Sequence, residues 1–251
     1  WGAPSRSLSS GCARRPPAFQ RRAASVVASC RAASALAPST STSIRRSPRR
    51  TSTAPARGES APNPAIAASS QALRGALDAL AAEHTLCPLV SGAGSGSFVL
   101  EAESGLWGEL QCGSYLFMDR DYADNDALPG APRFEHALFV KSRVMSRAAD
   151  HAVIDAGHKS HAIDSGLPRV VTVEGRRRDD LQFVNGGDEH GILRADVAGM
   201  ALPALGDTVW LVPGHCDPTV NLHDRMFGVR GGLDDGVVEC VVAVDARGCI
   251  T

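Results

Sequence analysis

The first 58 residues contain no aspartate, no glutamate and no lysine, yet they hold eleven arginines set among serine, alanine, proline and threonine. A stretch with so few large apolar side chains cannot build a core. Its Arg-rich, Ser-rich, acid-free composition is that of a mitochondrial or chloroplast transit peptide. A disordered basic tail or a mistranslated upstream region is the plain alternative. We therefore expect residues 1–65 to be a disordered, transit-peptide-like segment, with a chloroplast or mitochondrial destination and otherwise a cytoplasmic one. All 27 acids fall in the rest of the chain, so the overall net charge of −1 conceals a basic part and an acidic part. The chain opens on Trp1 rather than Met, and the expectation is a piece of a longer gene product.

Other absences narrow the function further. No run approaches the roughly 20 apolar residues of a membrane-spanning helix, so no membrane partner is expected. The seven cysteines (12, 30, 87, 112, 216, 240 and 249) form no CxxC pair, which argues against a zinc ribbon and against a disulfide scaffold. Neither a GxGxxG fingerprint nor a P-loop lysine is present, so the nucleotide-binding motifs fail. The charge run GRRRDD, Gly175 to Asp180, has no interleaved aromatics and reads as a solvated turn rather than a nucleic-acid patch.

Regular structure is expected after the linker around Pro62 to Pro64. In QALRGALDALAAEH the residues Leu73, Ala76, Leu77, Leu80 and Ala81 recur at three- and four-residue steps, the pattern of one helix face against a core. The apolar run Leu86 to Val90 reads as a buried strand opening into the loop SGAGSGSF, the order of an α/β unit with its ligand loop at the strand's carboxyl end. Downstream the period shortens. FEHALFVKSRVMSR puts Leu138, Val140, Ser142 and Val144 on one side, and ADHAVIDAG, LPRVVTVEG, DTVWLVPG and GVVECVVAVDARG read as further short strands. The fold expected is α/β followed by β, the second part, Asp119 to Thr251, being mainly antiparallel.

Two kinds of segment carry chemistry. Glycines let backbone N–H groups approach an anion and serines add hydroxyl donors, so SGAGSGSF and the Gly113–Ser114 turn of ELQCGSYLFMD suit a small phosphorylated cofactor. The loop is equally readable as merely flexible. In PGHCDPTVNLHD, an extended backbone would project His215 and Asp217 to one side and Cys216 to the other. An imidazole and a carboxylate aimed at one point make a partial site for Mn²⁺ or Zn²⁺, with open positions for substrate. The alternative is a polar loop in which Asp217 makes a turn before Pro218 and Cys216 packs in the core. His223 and Asp224 read as turn or supporting groups, and His158, His161 and His190 as loop or pocket-lining ones.

The segments VSGAGSGSF, ELQCGSYLFMDRDY, ALFVKSRVMSR, VIDAGHKS, GDEHG and PGHCDPTVNLHD, in this order, resemble the D-threonine aldolase and D-serine dehydratase family. This is the metal-dependent branch of the pyridoxal-phosphate enzymes with the alanine-racemase fold. The resemblance runs from about Gln71 to the C-terminus. It implies residues 66–118 as the last part of a (β/α)₈ barrel, and 119–251 as a C-terminal β domain bearing the metal ligands. Gly94, Ser95, Gly113 and Ser114 then fall where the cofactor phosphate is held, Gln111 falls near the pyridine ring, and His215 and Asp217 match the metal pair. The cofactors implied are pyridoxal phosphate and a divalent ion, Mn²⁺ or Zn²⁺ with Mg²⁺ as a third choice.

Family dehydratases are similar but place a cysteine two residues after the histidine. Asp217 at that position favours the aldolase reading, cleavage of a D-β-hydroxy-α-amino acid to glycine and an aldehyde. The partner implied is a small D-amino acid substrate, in an enzyme that is a homodimer when complete, with no nucleic acid. The departure lies in lysine. The family's Schiff-base lysine has no counterpart here, because the only lysines are Lys141 and Lys159 in the β-rich part. No catalytic residue is therefore assigned. A dehydratase and a non-catalytic metal-binding remnant remain the alternatives, and residues 71–118 are expected to fold poorly alone.

Overall fold

A computed structural model describes residues 63–126, 131–197 and 199–249, together with the backbone of Ser25–Ser29. That five-residue stretch is strand β1. It is followed by helix α1 (Pro64–Ala82), β2 (Ser91–Gly92), α2 (Phe98–Ser104), β3 (Glu109–Leu110), a 3₁₀ turn at Ser114–Leu116 and the single helical turn α3 (Arg120–Ala123). The β-rich part then comprises β4 (Leu138–Arg147), β5 (Ala152–Ile154), β6 (Arg169–Val173), β7 (Arg176–Arg177), β8 (Leu181–Asn185), β9 (Gly191–Ala195) and β10 (Thr208–Val212). A helical turn, α4 (Cys216–Val220), leads to β11 (Arg225–Arg230) and β12 (Val237–Ala243).

The sheet owes its shape to β4. Its first half pairs with β1 and β10, and its second half, beyond a register shift between Val144 and Ser146, pairs with β5. Such a shift bends a strand and tightens its twist, so the order β12-β11-β1-β4-β10-β6-β7 continues around a corner into β5-β9-β8. Every pairing is antiparallel except β1 with β11 and the short β2–β3 pair. This is the mainly antiparallel β part the sequence led us to expect. The expected disorder over 1–65 falls largely outside the described residues, but Ser25–Ser29 departs from it by forming a strand between β11 and β4.

Alternation along the strands separates two apolar faces. Leu138, Val140 and Val144 of β4, with Val209 and Leu211 of β10, meet Ile154, Val170, Leu193 and Phe183 in the main core. Residues of the opposite parity, Phe139, Trp210 and Val212, pack with Val229 in a second cluster. Trp210 Nε1 donates to Asp234 Oδ1 at 3.0 Å, and the Lys141 ammonium lies over the indole, 5.1 Å from its centre. The GRRRDD stretch, read as a solvated turn, is a turn only in part: Glu174 and Gly175 take positive φ to join β6 to β7, and Arg176–Arg177 pair with β6 as strand β7.

Besides β1 and the two-residue β2 and β7, three longer strands were not announced by the pattern. β8, β9 and β11 carry polar or glycine-broken sequences, LQFVN, GILRA and RMFGVR, whose strand state depends on their neighbours.

The segment before β4 differs from expectation. Asn63 caps α1 through a bond from the Ala65 N–H at 3.0 Å, and Pro64 opens the helix where a missing N–H costs nothing. Only Ile66, Ser70, Leu73 and Leu77 are even partly covered, whereas Ala76, Leu80 and Ala81 of the expected core face are exposed. Leu86 to Val90 forms no strand, and Leu86 is 90% exposed. The physical reason is that the β2–β3 ladder is two residues long and no layer covers the run before it. β12 is exposed along its whole length.

One polar ring lies inside the main core. His161 is fully buried, edge-on to Phe183 at 5.0 Å, and its Nε2 has no partner among the described residues. Burial above all, then the charges of His158 and His223, hold its pKa down at about 4. The folded state thus keeps His161 neutral, while the unfolded chain takes up the proton below its ordinary value of about 6.5. Stability is therefore complete above that value and is lost as pH falls from it toward 4, by up to about 3 kcal/mol from this residue. His136 and His223 are lowered for the same leading reason and add to the slope. Denaturant midpoints measured across this range should show the loss, and His161→Phe should flatten it without abolishing it.

A contrast between two leucines checks the packing. Leu211→Ala, at a fully buried position, is expected to cost about 2–5 kcal/mol. Leu86→Ser should change stability by no more than about 0.5 kcal/mol. Urea unfolding of the two variants decides it.

Candidate metal and cofactor site

The HCD triplet does not run as an extended strand. β10 ends at Val212, and Pro213–Gly214 delivers the chain to His215, which is extended (φ −140°, ψ 138°) just before α4 begins. A Cβ at position 214 would collide with the carbonyl oxygen of Gly166, so only glycine admits this close passage. Cys216 turns inward and joins the main core. His215 and Asp217 nevertheless converge, with Nε2 and Oδ2 3.9 Å apart. The expected convergence is present, but an extended residue entering a helical turn produces it rather than strand alternation.

Four bonds stitch this turn to residues 119–121. The Arg120 and Asp121 N–H groups donate to the carbonyls of Pro213 (3.1 Å) and Gly214 (3.0 Å). Asp119 Oδ2 accepts from the Cys216 N–H at 2.8 Å and lies 3.0 Å from His215 Nδ1. The other oxygen of Asp119 accepts from the Tyr122 N–H at 3.0 Å and so caps α3. From below, Thr219 Oγ1 donates to the His215 carbonyl at 2.7 Å and accepts from the Ala162 N–H.

The small-residue turns lie against the same place. β2 and β3 are parallel neighbours, so the loops that follow them emerge side by side. The Tyr115 N–H donates to Ser95 Oγ at 3.0 Å, joining one loop to the other. Ser114 is buried, with Oγ 3.4 Å from Asp217 Oδ1. The Tyr122 phenol stands between them: a Cβ at Gly94 would lie 3.8 Å from its hydroxyl, and its ring meets the His215 ring edge-on at 5.8 Å. Burial, with the carboxylates of Asp119 and Asp217 close by, holds the Tyr122 pKa above its ordinary value. Gln111 is exposed at the outer end, with Nε2 donating to Ser91 Oγ at 3.1 Å. The structure therefore brings Gly94, Ser95 and Ser114 together with His215 and Asp217, leaves Gly113 open with nothing within 4 Å of its Cβ position, and sets Gln111 at the rim.

The donor set suits one ion with vacant coordination positions. Metal bonds of about 2.0–2.2 Å from nitrogen and carboxylate oxygen can reach across the gap between His215 and Asp217. Among the described residues no group of three or more His, Cys, Asp or Glu side chains is placed to hold a metal, so an ion at this point would take two ligands from them. Cys216 does not compete. Burial above all pushes its thiol pKa far up, and a metal ligand must be the thiolate. Within the glycine loop, open space lies at Gly94. A side chain at Gly92 would meet Trp107 and one at Gly96 would meet Asn125 and Tyr122, while Gly94 retains free space.

The other histidines have structural partners. His223 Nε2 bonds the Ser160 carbonyl at 2.8 Å, His158 Nε2 pairs with Asp188 at 2.8 Å, and the described hydrogen bond of His190 is a backbone one to the Gly186 N–H. Asp224 pairs with Arg247. Lys141 is engaged with Trp210, and Lys159 with Asp188 and Glu189. Sequence reading missed Asp119, Tyr122 and Thr219. The D-x-x spacing from Asp119 to Tyr122 signals a helix cap, but nothing local reveals that its second oxygen serves a residue 96 positions away.

Residues 137–229 match the family model described as a putative serine dehydratase domain. The 3-hydroxy-D-aspartate aldolase of Paracoccus denitrificans (strain Pd 1222) is 46% identical over 178 residues, 69% of this chain and 43% of that protein. The crystal structure of D-threonine aldolase from Filomicrobium marinum superimposes with a TM-score of 0.66 at 44% identity, over 74% of this chain and 48% of that one. An alanine-racemase-like protein from Idiomarina loihiensis shares the fold at a TM-score of 0.52 and 19% identity, over 64% of this chain and 46% of that one. The chain thus spans less than half the length of the curated relative it matches. On these matches the chain is similar to the D-threonine aldolase and D-serine dehydratase family over this region, and it shares the alanine-racemase-like fold.

Proposed function

We propose that this chain supplies the divalent-metal site and phosphate-binding turns of a pyridoxal-phosphate-dependent lyase, one that cleaves D-β-hydroxy-α-amino acids to glycine and an aldehyde. The observation that carries the reading is the pairing of an imidazole with a carboxylate, His215 with Asp217, directly beside the Gly94–Ser95 and Gly113–Ser114 turns. His215 Nε2 and Asp217 Oδ2 would hold Mn²⁺ or Zn²⁺. Gly94, Ser95 and Gly113 would hold the cofactor phosphate, with backbone N–H groups and the Ser95 hydroxyl as donors. When bound, the ion supplies polarisation of the substrate's β-hydroxyl, and the cofactor ring supplies the sink for electrons released as Cα–Cβ breaks. Tyr122 and the buried Ser114 stand between the two groups.

The burial of Cys216 and the exposure of Asp217 support the aldolase reading over the dehydratase one. The engagement of both lysines elsewhere favours a second reading, in which the chain binds metal and phosphate without catalysing alone.

Titration of the purified chain with Mn²⁺ and Zn²⁺, alongside a glycine-release assay on D-threonine, separates these readings. We expect His215→Ala and Asp217→Ala each to weaken metal binding at least tenfold, because each removes one of two protein ligands. Unchanged binding in both would overturn the metal site. Binding without glycine release would select the second reading.

A further inference from the structure

Metal-binding histidines are selective in one respect: only the nitrogen that carries no hydrogen can ligate, and which nitrogen that is depends on what the other one meets. At His215 the other nitrogen, Nδ1, meets Asp119, and the bonding around Asp119 determines the direction of the hydrogen bond between them. Both of its oxygens already accept from groups that can only donate. Oδ1 takes the Tyr122 N–H and Oδ2 takes the Cys216 N–H. With the carboxylate an acceptor at each oxygen, Nδ1 must donate to Oδ2 at 3.0 Å. That leaves the lone pair on Nε2, the atom 3.9 Å from Asp217 Oδ2.

We propose that Asp119 is a positioning residue of the metal pair: its fully buried carboxylate holds His215 in the Nδ1–H form and points Nε2 at the ion shared with Asp217. The proposal rests on the metal reading above and adds a residue that touches neither ion nor substrate. Three features make the carboxylate specific for this task. It has no exposure to water, so solvent does not compete for its oxygens. The flanking bonds Arg120 N–H to Pro213 and Asp121 N–H to Gly214 fix the distance between the two stretches it joins. The Tyr122 ring, held by the same cap, stands edge-on to His215 and limits its rotation. Asparagine cannot replace it, because a single carbonyl oxygen would leave an NH₂ facing either the Tyr122 N–H or the His215 and Cys216 donors.

The test reads the tautomer directly and does not depend on catalysis. In the full chain, ¹⁵N–¹H correlation of the His215 ring should show hydrogen on Nδ1 and a bare Nε2 whose resonance moves when Zn²⁺ is added. Asp119→Asn should populate the Nε2–H form and weaken Zn²⁺ binding by about 10–100-fold, the usual loss when such a partner is removed. A bare Nδ1 in the unaltered chain overturns the proposal, and this measurement stands even if the Asn variant does not fold. Zn²⁺ binding by Asp119→Asn equal to that of the parent, while His215→Ala loses it, also overturns it. If His215→Ala and Asp217→Ala both bind Zn²⁺ as the parent does, the metal reading fails instead, whatever the tautomer shows.

Discussion

Burying a carboxylate costs several kcal/mol unless its oxygens are satisfied, and Asp119 is satisfied only when three groups from two remote stretches arrive together. One is the N–H of Tyr122, three residues on, and the others are the imidazole of His215 and the N–H of Cys216. The local bond starts a helical turn, and the distant bonds seat a loop. Either set alone would leave an oxygen unpaired inside the protein. The stretch that carries the glycine and serine turns and the stretch that carries the metal pair are thus required to meet in one register, and Ser114 and Asp217 become neighbours as a consequence.

The other half of the arrangement is apolar. Cys216 sits between the two candidate ligands and belongs to the same cluster as Leu138, Val140 and Leu211. A displacement of His215 or Asp217 would have to pull a core side chain with it, in an interior packed as densely as an organic crystal. Sites borne on such supports hold their geometry better than sites on free loops.

Much of the β part was legible because it depends on local pattern. The alternation through Leu138, Val140, Ser142 and Val144 marked the buried face of β4, and the runs at β5, β6, β10 and β12 stood between turn residues. Legibility failed where the answer depended on a partner. Leu86 to Val90 has a strand's composition but no layer to cover it. LQFVN and RMFGVR lack a strand's pattern but find neighbours in β9 and β12. His215 and Asp217 could be named from spacing and resemblance, whereas Asp119 could not. Its chemistry is a contact across 96 residues, and a sequence shows only the near end of such a bond.

Among the described residues, β11 and β12 pair with the rest of the sheet only through Ser25–Ser29, which lies parallel to β11 on one side and antiparallel to β4 on the other. A processing protease that cut the basic segment beyond residue 29 would therefore separate a hairpin from the body of the sheet and open the edge of β4 at Leu138 to Lys141. A cut ahead of residue 25 would discard arginines and leave every described strand in place. The sheet thereby sets a limit on how much of the basic segment could be removed without opening it.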